Sequence, residues 1–156
     1  MLGGSSESKL NYTMIQWSEK FETGHSLIDS QHRMLIDYIN RLEGMSRSSN
    51  PSRAEVEFCV QLLGFMETYI AVHFTHEEGC MVSHKCPVSH ENKKAHHDFL
   101  RFFRQFKARF DAEGCRPEIL EQLHQTCGAW IQQHILRIDV QLRPCLNQTP
   151  PAESPG

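Results

Sequence analysis

Four stretches of the chain place apolar residues at alternating three- and four-residue steps, while the period-two alternation of a strand is nearly absent. The first seam reads Ile28, His32, Leu35, Ile39, Leu42, and the second Val56, Cys59, Leu63, Met66, Ile70, His73, Glu77. The third reads Asn92, His96, Phe99, Phe103, Phe106, Phe110, and the fourth Leu120, Leu123, Cys127, Trp130, His134, Ile138. A helix with one such stripe must bury it against others like it, so the expected fold is all-α, an up-down-up-down four-helix bundle. Breakers set the limits: "TGHS", "SRSSNPS" with a capping box at Ser52 and Glu55, "KCPVS" around Pro87, and "EGCRPE" with a glycine stop and a proline start. They predict helices over roughly 26–45, 53–82, 88–112 and 117–144. Residues 1–25 read as an N-terminal arm, 26–145 as the bundle, and the Pro-rich 146–156 as a tail or linker.

Polar residues interrupt the seams at only six places: His32, His73, Glu77, Asn92, His96 and His134. With short loops, the starts of the first and third helices share one end of the bundle with the finishes of the second and fourth. All six therefore meet at one level, and Asp139, five residues after His134, lies within reach of it. One buried histidine is ordinarily a hydrogen-bonded core residue. A carboxylate and four imidazoles at one level, each costing several kcal/mol if unpartnered, point instead to a metal held between facing helices. Ten histidines in 156 residues fit that reading.

The segments "IDSQHRMLIDYIN" (28–40), "HFTHEE" (73–78), "HHDFL" (96–100) and "WIQQHILRID" (130–139) resemble the hemerythrin family, and specifically its bacterial members. The resemblance runs from about Trp17 to about Leu142. It implies a non-haem di-iron centre with an oxo or hydroxo bridge that binds dioxygen on one iron. By position, His32 and His73 match the ligands of the oxygen-binding iron, and Glu77 and Asp139 the two bridging carboxylates. His96 and His134 match two of three histidines on the other iron; the third falls at Asn92, where this chain departs from the pattern. Phe74, Trp130, Ile131 and Ile135 are expected to wall the oxygen pocket. His90 lies about 200° around a regular helix from position 92 and His97 about 100° past His96, so neither faces the seam. Asn92 is expected to be a weak ligand or to leave a labile position.

A site open at both irons oxidises readily, which suits reporting oxygen better than carrying it. The expected function is an oxygen or redox sensor domain that answers dioxygen or another diatomic such as nitric oxide. Its tail would lead to an output domain, such as the diguanylate cyclases or chemoreceptors found fused within the family. The alternatives are a stand-alone oxygen carrier or scavenger, and a di-iron oxidase or peroxidase. A net charge of −3 gives no reason to expect nucleic acid. No window approaches 18 apolar residues, and "MLGGSSESKLNYT" lacks the regions of a secretory signal, so a cytoplasmic protein without a membrane segment is expected. Its six cysteines are then expected as reduced thiols, Cys59 and Cys127 as small core residues. His76, His84, Cys80 and Cys86 match no common zinc spacing and read as solvated residues near a helix end.

Overall fold

The computed structural model describes residues 14–148; the first half of the arm and most of the Pro-rich tail lie outside the described residues. Four long helices form the bundle: α1 (Ser26–Ser46), α2 (Arg53–Ser83), α3 (Ser89–Glu113) and α4 (Pro117–Arg137). A single 3-10 turn (Glu19–Phe21) precedes them, and a second (Asp139–Gln141) leads into the short α5 (Leu142–Leu146). Among the described residues there is no strand.

The punctuation acts as its chemistry requires. Ser52 Oγ accepts the Glu55 N–H at 3.3 Å, while Glu55 Oε2 accepts the Ser52 N–H at 2.6 Å, satisfying two donors that the start of α2 would leave orphaned. Gly114 ends α3 with φ +86°, a left-handed conformation that a Cβ would disfavour, and Pro117 opens α4 at its first turn. The arm is less separate than expected. Ile15 exchanges two 2.9 Å hydrogen bonds with the Asn40 side chain, and Asp29 takes the Thr23 N–H and hydroxyl at 2.8 Å each. Ile15 and Phe21 are buried in the bundle core.

Two expectations need correction. The fourth helix does not run to residue 144 but breaks at Ile138. Pro144 supplies the reason: its ring excludes the helical carbonyl four residues earlier, at Val140, so the chain tightens into the 3-10 turn before resuming as α5. The cysteines are not all free thiols, because Cys86 in the α2–α3 loop is bonded to Cys145 in α5, across a Cα–Cα distance of 5.7 Å. Fifty-nine residues separate the two in sequence, and only bundle closure brings them together.

Packing is uneven around the bundle. α1 packs closely on α2 and α4, and α2 on α3. α3 and α4 meet instead through large rings, with Phe99 stacked on Trp130 at 4.0 Å, and an open groove runs between them. By length and mean hydropathy α2 resembles a membrane span. Yet it buries nine residues in the bundle, His73 and Glu77 among them, which is the position of a bundle helix.

Candidate metal centre

At the loop end that joins α2 to α3, seven polar side chains meet inside the core. His32 comes from α1, His73 and Glu77 from α2, Asn92 and His96 from α3, His134 from the last turn of α4, and Asp139 from the 3-10 turn. The pairs on α2 and α3 are spaced by four residues, which stacks them on one helix face. All seven are buried, Glu77 and Asn92 completely. A continuous fourth helix would carry Asp139 about 140° from His134; the break at Ile138 turns it inward, to 1% exposure.

Two donor sets share one carboxylate. Glu77, His96, His134 and Asp139 offer ligand atoms within 4.8 Å of one another, and so do His32, His73 and Glu77. Asp139 also faces both sets, with Oδ2 3.3 Å from His32 Nε2 and Oδ1 3.1 Å from His134 Nε2. Glu77 reaches His32 Nε2 at 3.5 Å and His96 Nε2 at 3.2 Å. Despite these approaches, His32 Nε2, Glu77 Oε1 and both Asp139 oxygens make no hydrogen bond. Buried polar atoms left this way are costly unless something satisfies them. Two cations held between Glu77 and Asp139 would satisfy them, and a mixture of imidazole and carboxylate donors suits iron. The residues fit a di-iron group.

The electrostatics agree. Burial disfavours charge on His32, but the Asp139 and Glu77 carboxylates beside it reverse the effect and raise its pKa to about 9. Burial holds His73 down to about 3, helped by the neighbouring His32 and His96. Burial opposes ionisation of both carboxyls, and the surrounding imidazoles nonetheless hold Glu77 and Asp139 below the usual carboxylate range. The site is arranged for anions facing cations.

Outer partners orient two of the rings. Gln31 Oε1 accepts from His73 Nδ1 at 2.9 Å, and the same amide's Nε2 donates to His76 Nδ1 at 2.9 Å. Glu78 Oε1 lies 3.1 Å from His96 Nδ1. A proton held on Nδ1 leaves Nε2 free for a metal. Gln31, His76 and Glu78 went unrecognised in the sequence; the signal was their adjacency to seam residues, which a helix turns into an outer layer. His76 and His84 do lie outside the core, and His84 bonds back to the Cys80 carbonyl at 2.9 Å.

Asn92 lies at the level of the site. Its Oδ1 is 2.9 Å from His134 Nε2 and its Nδ2 3.4 Å from Glu77 Oε2. His90 and His97 are exposed, so no other imidazole of α3 reaches the seam. One turn deeper, a cavity of about 20 Å³ is walled only by uncharged, mostly apolar side chains, including Leu35, Ile70, Phe74, Phe99, Trp130 and Ile131. That volume is enough for one water-sized guest. Of the four residues expected to wall an oxygen pocket, Phe74, Trp130 and Ile131 line this cavity, while Ile135 is buried in the core and does not.

Positions 23–146 match the model described as "Hemerythrin HHE cation binding domain". The bacteriohemerythrin of Pseudomonas aeruginosa (strain LESB58) is 25% identical over 79% of this chain and 75% of its own length. That of Stenotrophomonas maltophilia (strain R551-3) is 27% identical over 78% and 74%. The myohemerythrin of Sipunculus nudus is 28% identical over 79% and 86%.

Proposed function

This chain belongs to the hemerythrin family, and from that premise we propose that its di-iron, dioxygen-binding domain serves as an oxygen or redox sensor rather than as a carrier. In this reading His32, His73, Glu77, His96, His134 and Asp139 hold two irons, and Asn92 replaces a third imidazole on the second. When bound, the iron pair supplies the electrons on which dioxygen binding draws. The protein's own part is positional. Gln31 and Glu78 orient His73 and His96, the two carboxylates would neutralise paired cations, and the apolar side chains one turn deeper, Phe74, Trp130 and Ile131 among them, hold bulk water away from the site.

The observation that carries the sensor reading is the way Asp139 is mounted. This carboxylate belongs to the 3-10 turn that continues directly into α5, and α5 is tied by Cys145 to the loop beside the site. A shift of the Asp139 carboxylate would thereby be carried to the C-terminal end of the domain, where a linker to an output domain would begin. Asn92 adds the second requirement: with an amide where the pattern has an imidazole, α3 would give the metal it helps hold one strong ligand fewer and leave it a labile position.

Two measurements test this. Purified protein is expected to hold close to two irons per chain, with near-ultraviolet charge-transfer bands of a bridged ferric pair; one zinc and no iron would sink the assignment. Hydrogen exchange in residues 139–148 is then compared between the reduced anaerobic and the oxidised protein. Faster or slower exchange there supports the sensor. Identical exchange, with reversible oxygen uptake, makes the domain a carrier.

A further inference from the structure

The groove between α3 and α4 has a volume of about 370 Å³, and His134 is among the residues that line it. His134 is 94% buried and turns Nε2 inward, to Asn92, His96 and Asp139. Its other nitrogen, Nδ1, has no partner among the described residues, and the residue meets solvent through the groove it lines. The contrast with its neighbours is informative: His73 Nδ1 is served by the Gln31 amide and His96 Nδ1 by the Glu78 carboxylate. The corresponding place behind His134 is open to the outside.

What lines that place selects an occupant. Arg137, one turn beyond His134, has a guanidinium with no ion pair or hydrogen bond among the described residues. Trp130, Ala95 and Ile138 form apolar walls. The acidic lining is partly neutralised, because Asp98 is paired to Lys94 at 2.9 Å and to Arg101 at 3.1 Å; Glu91 at the rim is the one opposing charge. A planar acceptor fits a guanidinium fork and an imidazole N–H together, and a short alkyl stem fits the walls.

We propose that this groove binds a small monocarboxylate, which accepts the His134 Nδ1–H, pairs with Arg137 and rests its stem on Trp130 and Ala95. The ligand supplies from outside the oriented acceptor that the other two histidines find within the chain, so its concentration tunes the metal through His134. The inference rests on the di-iron reading in one respect, that a metal on Nε2 keeps the proton on Nδ1.

Propionate is the probe, titrated into purified protein with heat and tryptophan fluorescence as readouts and with iron measured in each sample. One saturable site is expected. Arg137→Gln should weaken it about tenfold, the worth of one charge-assisted hydrogen bond; Ala95→Leu should abolish it by filling the groove, and Glu91→Gln should tighten it. All three should keep the iron content and melting temperature of the parent. Absence of saturable binding overturns the proposal. So does binding indifferent to Arg137→Gln and Ala95→Leu, the result for a carboxylate attached directly to iron at the Asn92 position. Inorganic phosphate binding as tightly, with the same dependence, overturns the carboxylate assignment. Iron content decides the di-iron reading separately: propionate binding that depends on Arg137 in a chain without iron sinks that reading and leaves the groove site standing.

Discussion

Single residues decide the reactivity of this centre. Asn92 is fully buried with its amide oxygen 2.9 Å from His134 Nε2, so an imidazole placed there would aim at the same donor set. Asn92→His should fill the second iron's coordination, slow autoxidation of the reduced protein and weaken azide binding. Stopped-flow autoxidation and azide titrations compare the two proteins, and equal values would place Asn92 outside the coordination sphere. Glu77 carries a different burden. It lies against His32 and His96 and serves both donor sets, so Glu77→Ala leaves cations uncompensated in a buried site. Iron should be lost and the fold weakened by about 3–5 kcal/mol, the usual consequence of breaking a buried charge pair. Full iron with an unchanged spectrum would show that Glu77 is not a bridge.

Elements hold these residues in register and can be perturbed without touching them. The capping box at Ser52 lies about seven turns of α2 from Glu77, at the other end of the bundle. Ser52→Ala should cost about 1 kcal/mol of stability, a typical loss for an N-cap hydroxyl, with iron content and spectra unchanged. Denaturant unfolding of the iron-loaded protein, alongside an iron assay, would show the separation; iron loss would mean that the frayed end of α2 reaches the site. The break after α4 matters in the opposite sense, because it makes the site. A regular helix through residue 144 would turn Asp139 away from His134, and Pro144 prevents that helix. The signal was present in the sequence, in a proline that the predicted helix ran over, but the effect of a ring on the carbonyl four residues earlier is easily lost beneath a strong apolar period.

At the scale of the whole molecule, metal and protons compete for the same buried groups. An unfolded histidine titrates near about 6.5. His32, raised to about 9 by Asp139 and Glu77 against the pull of burial, favours the folded state fully below pH 6.5 and loses that contribution as pH rises through 9. His73, held near 3 by burial, acts the other way: folding excludes its proton, so stability is present above 6.5 and is lost as pH falls toward 3. The depressed carboxyls of Glu77 and Asp139 add to the acid loss. Protein stripped of metal by chelation should therefore lose melting temperature on both sides of about pH 6.5. Iron must displace the His32 proton, so iron uptake should release protons and its apparent affinity should climb toward pH 9. Melting curves and proton-release calorimetry from pH 5 to 9 check both signs, and an iron affinity independent of pH would contradict the His32 assignment.

The order and limits of the helices were legible in the residues, because seam period, capping box, glycine stop and proline start are local properties that act over one or two turns. The meeting of His32, His73, Glu77, Asn92, His96 and His134 was legible for a related reason: in an up-down bundle, depth along one helix translates directly into depth along its neighbours. Other features had to await the folded molecule. Gln31 and Glu78 became outer partners of His73 and His96 through the rotation of α1 and α2 about their own axes, which no spacing within one helix states. The Cys86–Cys145 bond joins segments 59 residues apart. The α3–α4 groove exists because aromatic rings on two facing seams hold those helices apart. Local sequence determines what a helix is and where it ends; the relative rotation and spacing of helices come from side chains interlocking between them, and only the packed bundle decides those.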